Sequence, residues 1–402
     1  MEQIAAKDSS VVAPRERIAS VDPFRGFTMF LLIGESTLMY RHFLESGNPV
    51  LRFLGTELSH HEWHGLHFWD LIQPFFMFIV GVSIPFAVEA RRKKGYPEGV
   101  ILRHAVKRSL LLLFFGWALY CIGPERIVFR LQNVLAQLSV TYLVAFLIRN
   151  KSVAFQLVFT LIVLLVTDLA YRFFPVAGFD QPWVAFHNLG AYVNNKIEGV
   201  EKADIWASLN AIPTIAHTVW GVLCGRLLLS SRPAAAKIRI MLLAGAAGLL
   251  VGYSLDFLQI TPIIKKIATS AFVFASGGWA LLGLCCCYWV IDVLKTGRRM
   301  AHFFVIVGMN SIFIYLFFEV GTALLLNSMF RPFARALFSR GGTSAGDVMA
   351  GAGKVMTGAG AVITGAGEVM TGAGEIMTSA CSWMAMWYLC YWLYKKGIFF
   401  KI

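Results

Sequence analysis

Residues 67–94 read HFWDLIQPFFMFIVGVSIPFAVEARRKK, and this stretch decides the fold. After Asp70 the chain runs almost without charge to Glu89. It then meets Arg91, Arg92, Lys93 and Lys94. An apolar run of about 20 residues is long enough to cross a hydrocarbon core of roughly 30 Å. Backbone polar groups in lipid must be satisfied within the segment, so the run is expected to be a helix. The basic tetrad that ends it is the mark of a short cytoplasmic loop.

Nine more runs of this kind follow from the same reading, giving ten spans at 22–41, 67–90, 105–123, 129–148, 151–171, 207–228, 238–257, 270–292, 302–326 and 379–395, with eleven as the upper count. No alternating pattern of about 10 residues, as a barrel would need, competes with them. The composition agrees: 57% of the 402 residues are hydrophobic and 15% charged, against about 25% charged in soluble domains. The fold class expected is therefore an all-α polytopic membrane bundle, one domain over 1–402. Loops are short except 42–66, 172–206 and 327–378. With the N-terminus inside, one side collects 23 of the 36 Lys and Arg residues. Both termini are then cytoplasmic, and the three long loops face the periplasm of an inner-membrane protein.

The net charge of +13 is thereby read as orientation against the bilayer, not as a nucleic-acid footprint. The seven cysteines contain no CxxC pair, which argues against a metal or disulfide framework. Residues 347–378 repeat a seven-residue unit, DVMAGAG, KVMTGAG, AVITGAG, EVMTGAG, EIMTSA. A strict heptad can form one helical stripe, but two glycines per unit weaken it by about 1 kcal/mol each. The segment reads as a low-complexity insertion in an outer loop without chemistry of its own.

Ionisable groups inside a membrane are costly and mark functional positions. Glu35 lies in the outer half of span 1, His217 near the middle of span 6, and Asn310 in the inner half of span 9. Asp168 and Glu319 lie in the outer parts of spans 5 and 9. The densest group is Ser59-His60-His61-Glu62-Trp63-His64-Gly65-Leu66-His67-Phe68-Trp69-Asp70. Three chemistries compete for it. A metal site would use the histidines, but the spacing is not HExxH. An interface belt would use Trp63, His64 and Trp69 but leaves Asp70 unexplained. An acid–base centre would use a histidine near neutral pKa, with Asp70 or Glu35 fixing its tautomer.

The residues also carry a resemblance. Arg17-Ile18-Ala19-Ser20-Val21-Asp22-Pro23-Phe24-Arg25-Gly26 resembles the R-x-x-S-x-D-x-x-R-G start of the transmembrane acyltransferases related to heparan-α-glucosaminide N-acetyltransferase and their bacterial relatives. His60 to Gly81 resembles that family's H-x-x-W-x-G-x-x-x-x-D-L-x-x-P-F-F-x-F-I-x-G. Asn133 to Leu138 is similar to its V-L-Q-R-I segment. Tyr288 to Asp292 and Val307 to Ser311 are similar to its Y-W-x-I-D and G-x-N motifs. The resemblance implies transfer of an acetyl group from cytosolic acetyl-CoA to an amine or hydroxyl of a sugar or glycan across the membrane. It implies His60 as the catalytic histidine, which the acid–base reading pairs with Asp70 or Glu35. It leaves His61, Trp63, His64, Asn310 and His217 as substrate-contacting candidates, with no metal. A homodimer is the partner state to consider. The chain departs from the pattern at Glu35 or Ser36, where animal relatives carry Asn, and at Leu138, where the motif Arg stands. A sugar permease is the alternative, since Pro74, Pro85 and Pro213 interrupt spans.

Overall fold

A computed structural model describes residues 18–125, 127–338 and 372–400, and among these every regular element is helical. The helices are α1 (Val21–Ser36), α2 (Met39–Leu44), α3 (Pro49–Glu57), α4 (Ile72–Lys93), α5 (Glu98–Ile122), α6 (Val134–Ile148), α7 (Val153–Arg172) and α8 (Leu189–Glu198). They continue with α9 (Ile215–Leu229), α10 (Ala234–Phe257), α11 (Ser270–Cys287), α12 (Arg298–Gly308), α13 (Ser311–Glu319), α14 (Thr322–Phe338) and α15 (Gly372–Lys395). The starts are chemically marked. Asn133 caps α6 through Ala136 N–H, Ser152 caps α7 through Phe155 N–H, and Thr269 caps α11 through Phe272 N–H; each satisfies a donor that the first turn leaves open.

Six helical stretches are long and apolar enough to cross a membrane: Phe68–Lys93, Glu98–Ile122, Val153–Arg172, Ser208–Leu229, Ala234–Phe257 and Ser270–Val293. The α12–α13 pair, bent by 60°, makes a seventh if it is one span. Helices α1, α6 and α15 occupy the other three runs read from the sequence. Length and apolarity alone do not carry the count to ten. The chain is a helical membrane protein with several spans. Of the α4 span, 72% is buried, against 17% of α7 and α10, so α4 is the bundle's central helix and the other two face lipid. Leu157, Val158, Leu161, Ile162, Leu165 and Val166 of α7 are exposed, a surface that only a bilayer covers comfortably.

Small residues bring the helices together. A Cβ on Gly81 would meet the Thr218 carbonyl, and one on Gly26 the Phe304 carbonyl. Close backbone approach of this kind drives helix association where no hydrophobic gain is available. It holds α9 against α4 and α12 against α1.

Two spans that read as continuous are broken. Leu38 takes φ 66° between α1 and α2, and the carbonyl of Thr37 there accepts from Asn327 Nδ2 (2.8 Å) and Ser379 Oγ (2.6 Å). Asn310 breaks α12 from α13, and its side chain donates to the Ile398 carbonyl (3.1 Å) and accepts from Phe400 N–H (3.0 Å). Broken helices persist at membrane depth only where protein groups satisfy the freed backbone; Asn327 and Ser379 do this at Thr37, and Arg25 Nε does it at the α12–α13 break by donating to the Gly308 carbonyl (3.1 Å). The heptad repeat lies mostly outside the described residues; its last residues, from Gly372, begin α15.

Helix ends gather at two faces. On one, Arg149 pairs with Glu98 (2.8 Å), Arg226 donates to the Lys151 carbonyl (2.8 Å), and Asp292 accepts from Ala19 N–H (2.7 Å). On the other, Gly65 N–H donates to the Ile263 carbonyl and Ala207 N–H to the Lys266 carbonyl (both 2.9 Å). These will be called the basic face and the His60 face.

Candidate active site

The site begins with a short 3₁₀ turn, Phe68–Leu71, that leads into α4. Asp70 sits at its third position and reaches back to accept from the N–H of His67 (3.0 Å). This is the carboxylate half of a capping box, and the open donors of a helix start favour negative charge there. The same oxygen accepts from His61 N–H (3.2 Å). With Oδ2 thus occupied, Oδ1 turns to His60 Nδ1 at 2.9 Å. Asp70 is buried, with 2% of its side chain exposed, whereas that of His60 is 36% exposed. No hydrogen-bond partner for His60 Nε2 occurs among the described residues.

A third charge completes the group. Lys265, from the segment between α10 and α11, places Nζ 3.2 Å from His60 Nδ1 and 3.5 Å from Asp70 Oδ1. The indole of Trp206, from the segment before α9, stands edge-on to His60 with centroids 5.1 Å apart and lies 5.5 Å from Lys265 Nζ. Burial, then the Lys265 charge, hold His60 below the ordinary histidine range, against the pull of its Asp70 hydrogen bond. Burial pushes the Lys265 ammonium down to about 8, against the pull of Asp70 and Glu35. An imidazole so placed is neutral near pH 7 with a carboxylate on Nδ1, the arrangement that suits a general base.

His60 and Lys265 line a cavity of about 200 Å³ together with Glu35, Trp69, Gln73, Trp206 and, across from them, Glu319. Gln73 donates to Gln137 Oε1 (2.7 Å), so its carboxamide is held in place. The structure therefore brings together His60, Asp70, Glu35 and Glu319 of the residues singled out from sequence, and adds Lys265 and Trp206. The five substrate-contacting candidates lie elsewhere. His61 packs against Gly65 and against His67, with ring centroids 4.7 Å apart. Gly65 adopts φ 140°, and a Cβ there would strike the His61 ring, so the motif glycine gives that ring its place. Trp63 donates to the Trp183 carbonyl (2.8 Å), and His64 pairs with Asp256 (2.7 Å). The Ser276 hydroxyl donates to Phe272 (2.6 Å), so it accepts from His217 Nε2–H at 2.8 Å. Asn310 holds the chain after α15, as described.

A second cavity of about 260 Å³ opens among α4, α5 and α6 toward the basic face. Arg91, His104, Lys107 and Arg108 line it, and no acidic residue does. Arg108 stacks 4.9 Å over Tyr142, and its Nε is buried without a hydrogen-bond partner among the described residues. One stripe of α4 serves both cavities: Gln73 and Phe76 face the first, Ile84, Ala87 and Arg91 the second. From Gln73 to Ala87 the helix rises about 21 Å at roughly 1.5 Å per residue. Met29, which also lines the first cavity, belongs with Val80, Leu112 and Leu138 to one buried apolar cluster. Among the described residues no group of three or more His, Cys, Asp or Glu side chains is placed to hold a metal ion.

A helical bundle of several membrane spans, carrying at one face an imidazole held by a buried carboxylate and a buried ammonium, is the class that fold and site define. A profile of the heparan-alpha-glucosaminide N-acetyltransferase catalytic domain matches residues 17–260, more than half of the sequence, and the chain belongs to that family. The heparan-alpha-glucosaminide N-acetyltransferases of Mus musculus and Homo sapiens are each 31% identical to it over 135 residues, 32% of this chain and 18% of either relative. The aligned part thus spans less than a fifth of the length of those relatives. His60 and Asp70 fall inside the profile match; Lys265 and Glu319 fall beyond it.

Proposed function

We propose that the chain is a membrane-embedded acetyltransferase that moves an acetyl group from acetyl-CoA to an amine or hydroxyl of a sugar at the His60 face. The observation that carries this reading is the His60 ring, tied through Nδ1 to Asp70 and lining a polar cavity with Nε2 unpartnered. In the proposed reaction the acceptor nitrogen or oxygen attacks the thioester carbonyl. His60 Nε2 takes the acceptor's proton, the C–S bond breaks, and the CoA thiolate leaves. Asp70 fixes the tautomer and steadies the imidazolium. Glu35, Gln73 and Trp206 contact the acceptor, a role for which His61, Trp63, His64, Asn310 and His217 are less well placed.

The basic cavity supports a donor arriving from the opposite face, since Arg91, Lys107 and Arg108 match phosphate chemistry. The topology proposed is ten spans with both termini cytoplasmic, in the inner membrane, so that donor and acceptor come from opposite sides. Met29, Val80, Leu112 and Leu138 then have to part for the thioester to reach His60, a gated step of the kind that closes many active sites to water.

Acetyl transfer from labelled acetyl-CoA to a glucosamine-terminated acceptor, measured in detergent, tests the proposal. His60→Ala should abolish transfer while the protein stays monodisperse. Near wild-type transfer by that variant removes His60 from the chemistry, and uptake of labelled sugar into vesicles without CoA points to a permease.

A further inference from the structure

An apolar slot of about 680 Å³ lies between α7 and α10, away from both cavities described above. Its volume is within the roughly 300–1,000 Å³ of ligand sites. Helices α9 and α11 form its floor, with Trp220, Leu223, Phe274 and Leu281. On α10 it extends from Ile240 to Val251, about 17 Å at 1.5 Å per residue. Half of a hydrocarbon core is about 15 Å, so the slot has the depth of one leaflet.

Only one end of the slot is charged. Arg226 and Arg232 line it there with Ser230, and no acidic residue lines any part of it. At this end α7 begins, α9 stops and α10 begins, which sets the level of the membrane interface. Arg226 donates to the Lys151 carbonyl (2.8 Å), Arg232 is exposed, and neither guanidinium meets a carboxylate among the described residues. Two guanidiniums without a carboxylate partner among the described residues, at one end of an apolar slot, complement a phosphate carrying a hydrocarbon tail, and basic pockets between membrane helices select anionic head groups in this way.

We infer that the slot is a binding site for one anionic phospholipid of the surrounding bilayer, with an acyl chain between α7 and α10 and the phosphate between Arg226 and Arg232. The site is separate from the acetyltransferase reading and stands without it.

Native mass spectrometry of the full chain, purified in mild detergent and exchanged against phosphatidylglycerol or phosphatidylcholine, tests the inference. Phosphatidylglycerol should be retained in one copy in preference to phosphatidylcholine. Each Arg→Gln change should weaken retention about fivefold, and R226Q/R232Q about 25-fold, at roughly one surface charge's worth each. Ala247→Trp fills the slot without touching either arginine and should also release the lipid. Should the double variant fail to fold, R232Q alone gives the head-group arm, since Arg232 is exposed. Equal retention of phosphatidylcholine, unchanged retention in R226Q/R232Q, or a second copy of the chain found on this face overturns the inference.

Discussion

Replacing Asp70 by Asn removes one charge and almost no volume, and the geometry dictates how the amide must sit. The two N–H groups of His61 and His67 both point at Oδ2, so the amide oxygen has to take that position. Its NH₂ then faces His60 Nδ1, where the Asp70 carboxylate now lies at 2.9 Å and Lys265 Nζ at 3.2 Å. Two donors directed at Nδ1 force it to accept, the ring proton moves to Nε2, and the lone pair on the cavity side is lost. General base catalysis contributes typically 10²–10⁴-fold, so acetyl transfer by Asp70→Asn should fall by about that factor, or roughly 3–5 kcal/mol of transition-state stabilisation. The cap contacts survive, and the variant should fold. The assay is kcat/KM for acetyl transfer, with CoA thiol release recorded in parallel. A folded variant within tenfold of wild type in both measurements refutes the tautomer argument.

Two other substitutions read separate parts of the structure. Lys265→Met removes a cation that disfavours the imidazolium, so the His60 pKa rises; the neutral base is then lost at higher pH, and the acidic limb of the kcat/KM profile should move toward alkaline pH, whereas an unmoved limb places no Lys265 charge on His60. Gly26→Val drives a side chain into the Phe304 carbonyl at the α1–α12 contact, where overpacking costs about 1–3 kcal/mol or more, and thermal unfolding in detergent should shift down markedly; an unshifted transition means that α1 and α12 are not in close contact.

The sequence discloses what is local. The run from Ile72 to Val88 shows a helix by composition, and the spacing of His60 and Asp70 within one short segment lets a carboxylate–imidazole pair be anticipated. The break at Asn310 is not legible, because the flanking residues apart from Ser311 are apolar and the backbone groups that its side chain bonds lie near residue 400. Lys265 escapes for a related reason. Beside Lys266 in a loop it looks like one more orienting charge, and its burial against His60 and Asp70 depends on a contact across about two hundred positions of chain. The heptad repeat, the most conspicuous pattern in the sequence, lies mostly outside the described residues, whereas single residues such as Trp206 line the site.

The same division bears on how donor and acceptor meet. Gln73 and Ala87 lie on one α4 stripe, so two cavities on opposite faces share a wall that is rigid along its length. A shared rigid wall means that access from one cavity to the other is set by the helices opposite α4, namely α1 with Met29, α5 with Leu112 and α6 with Leu138. Helix α5 is the most free to yield, because only 22% of its span is buried, and it packs chiefly on α6. Outward movement of α5 and α6 together would join the basic cavity to His60 without disturbing the Asp70 cap, which belongs to α4. In the proposed reaction, catalytic geometry and donor access would thus be carried by different helices, and the imidazole would keep its tautomer while the passage opens.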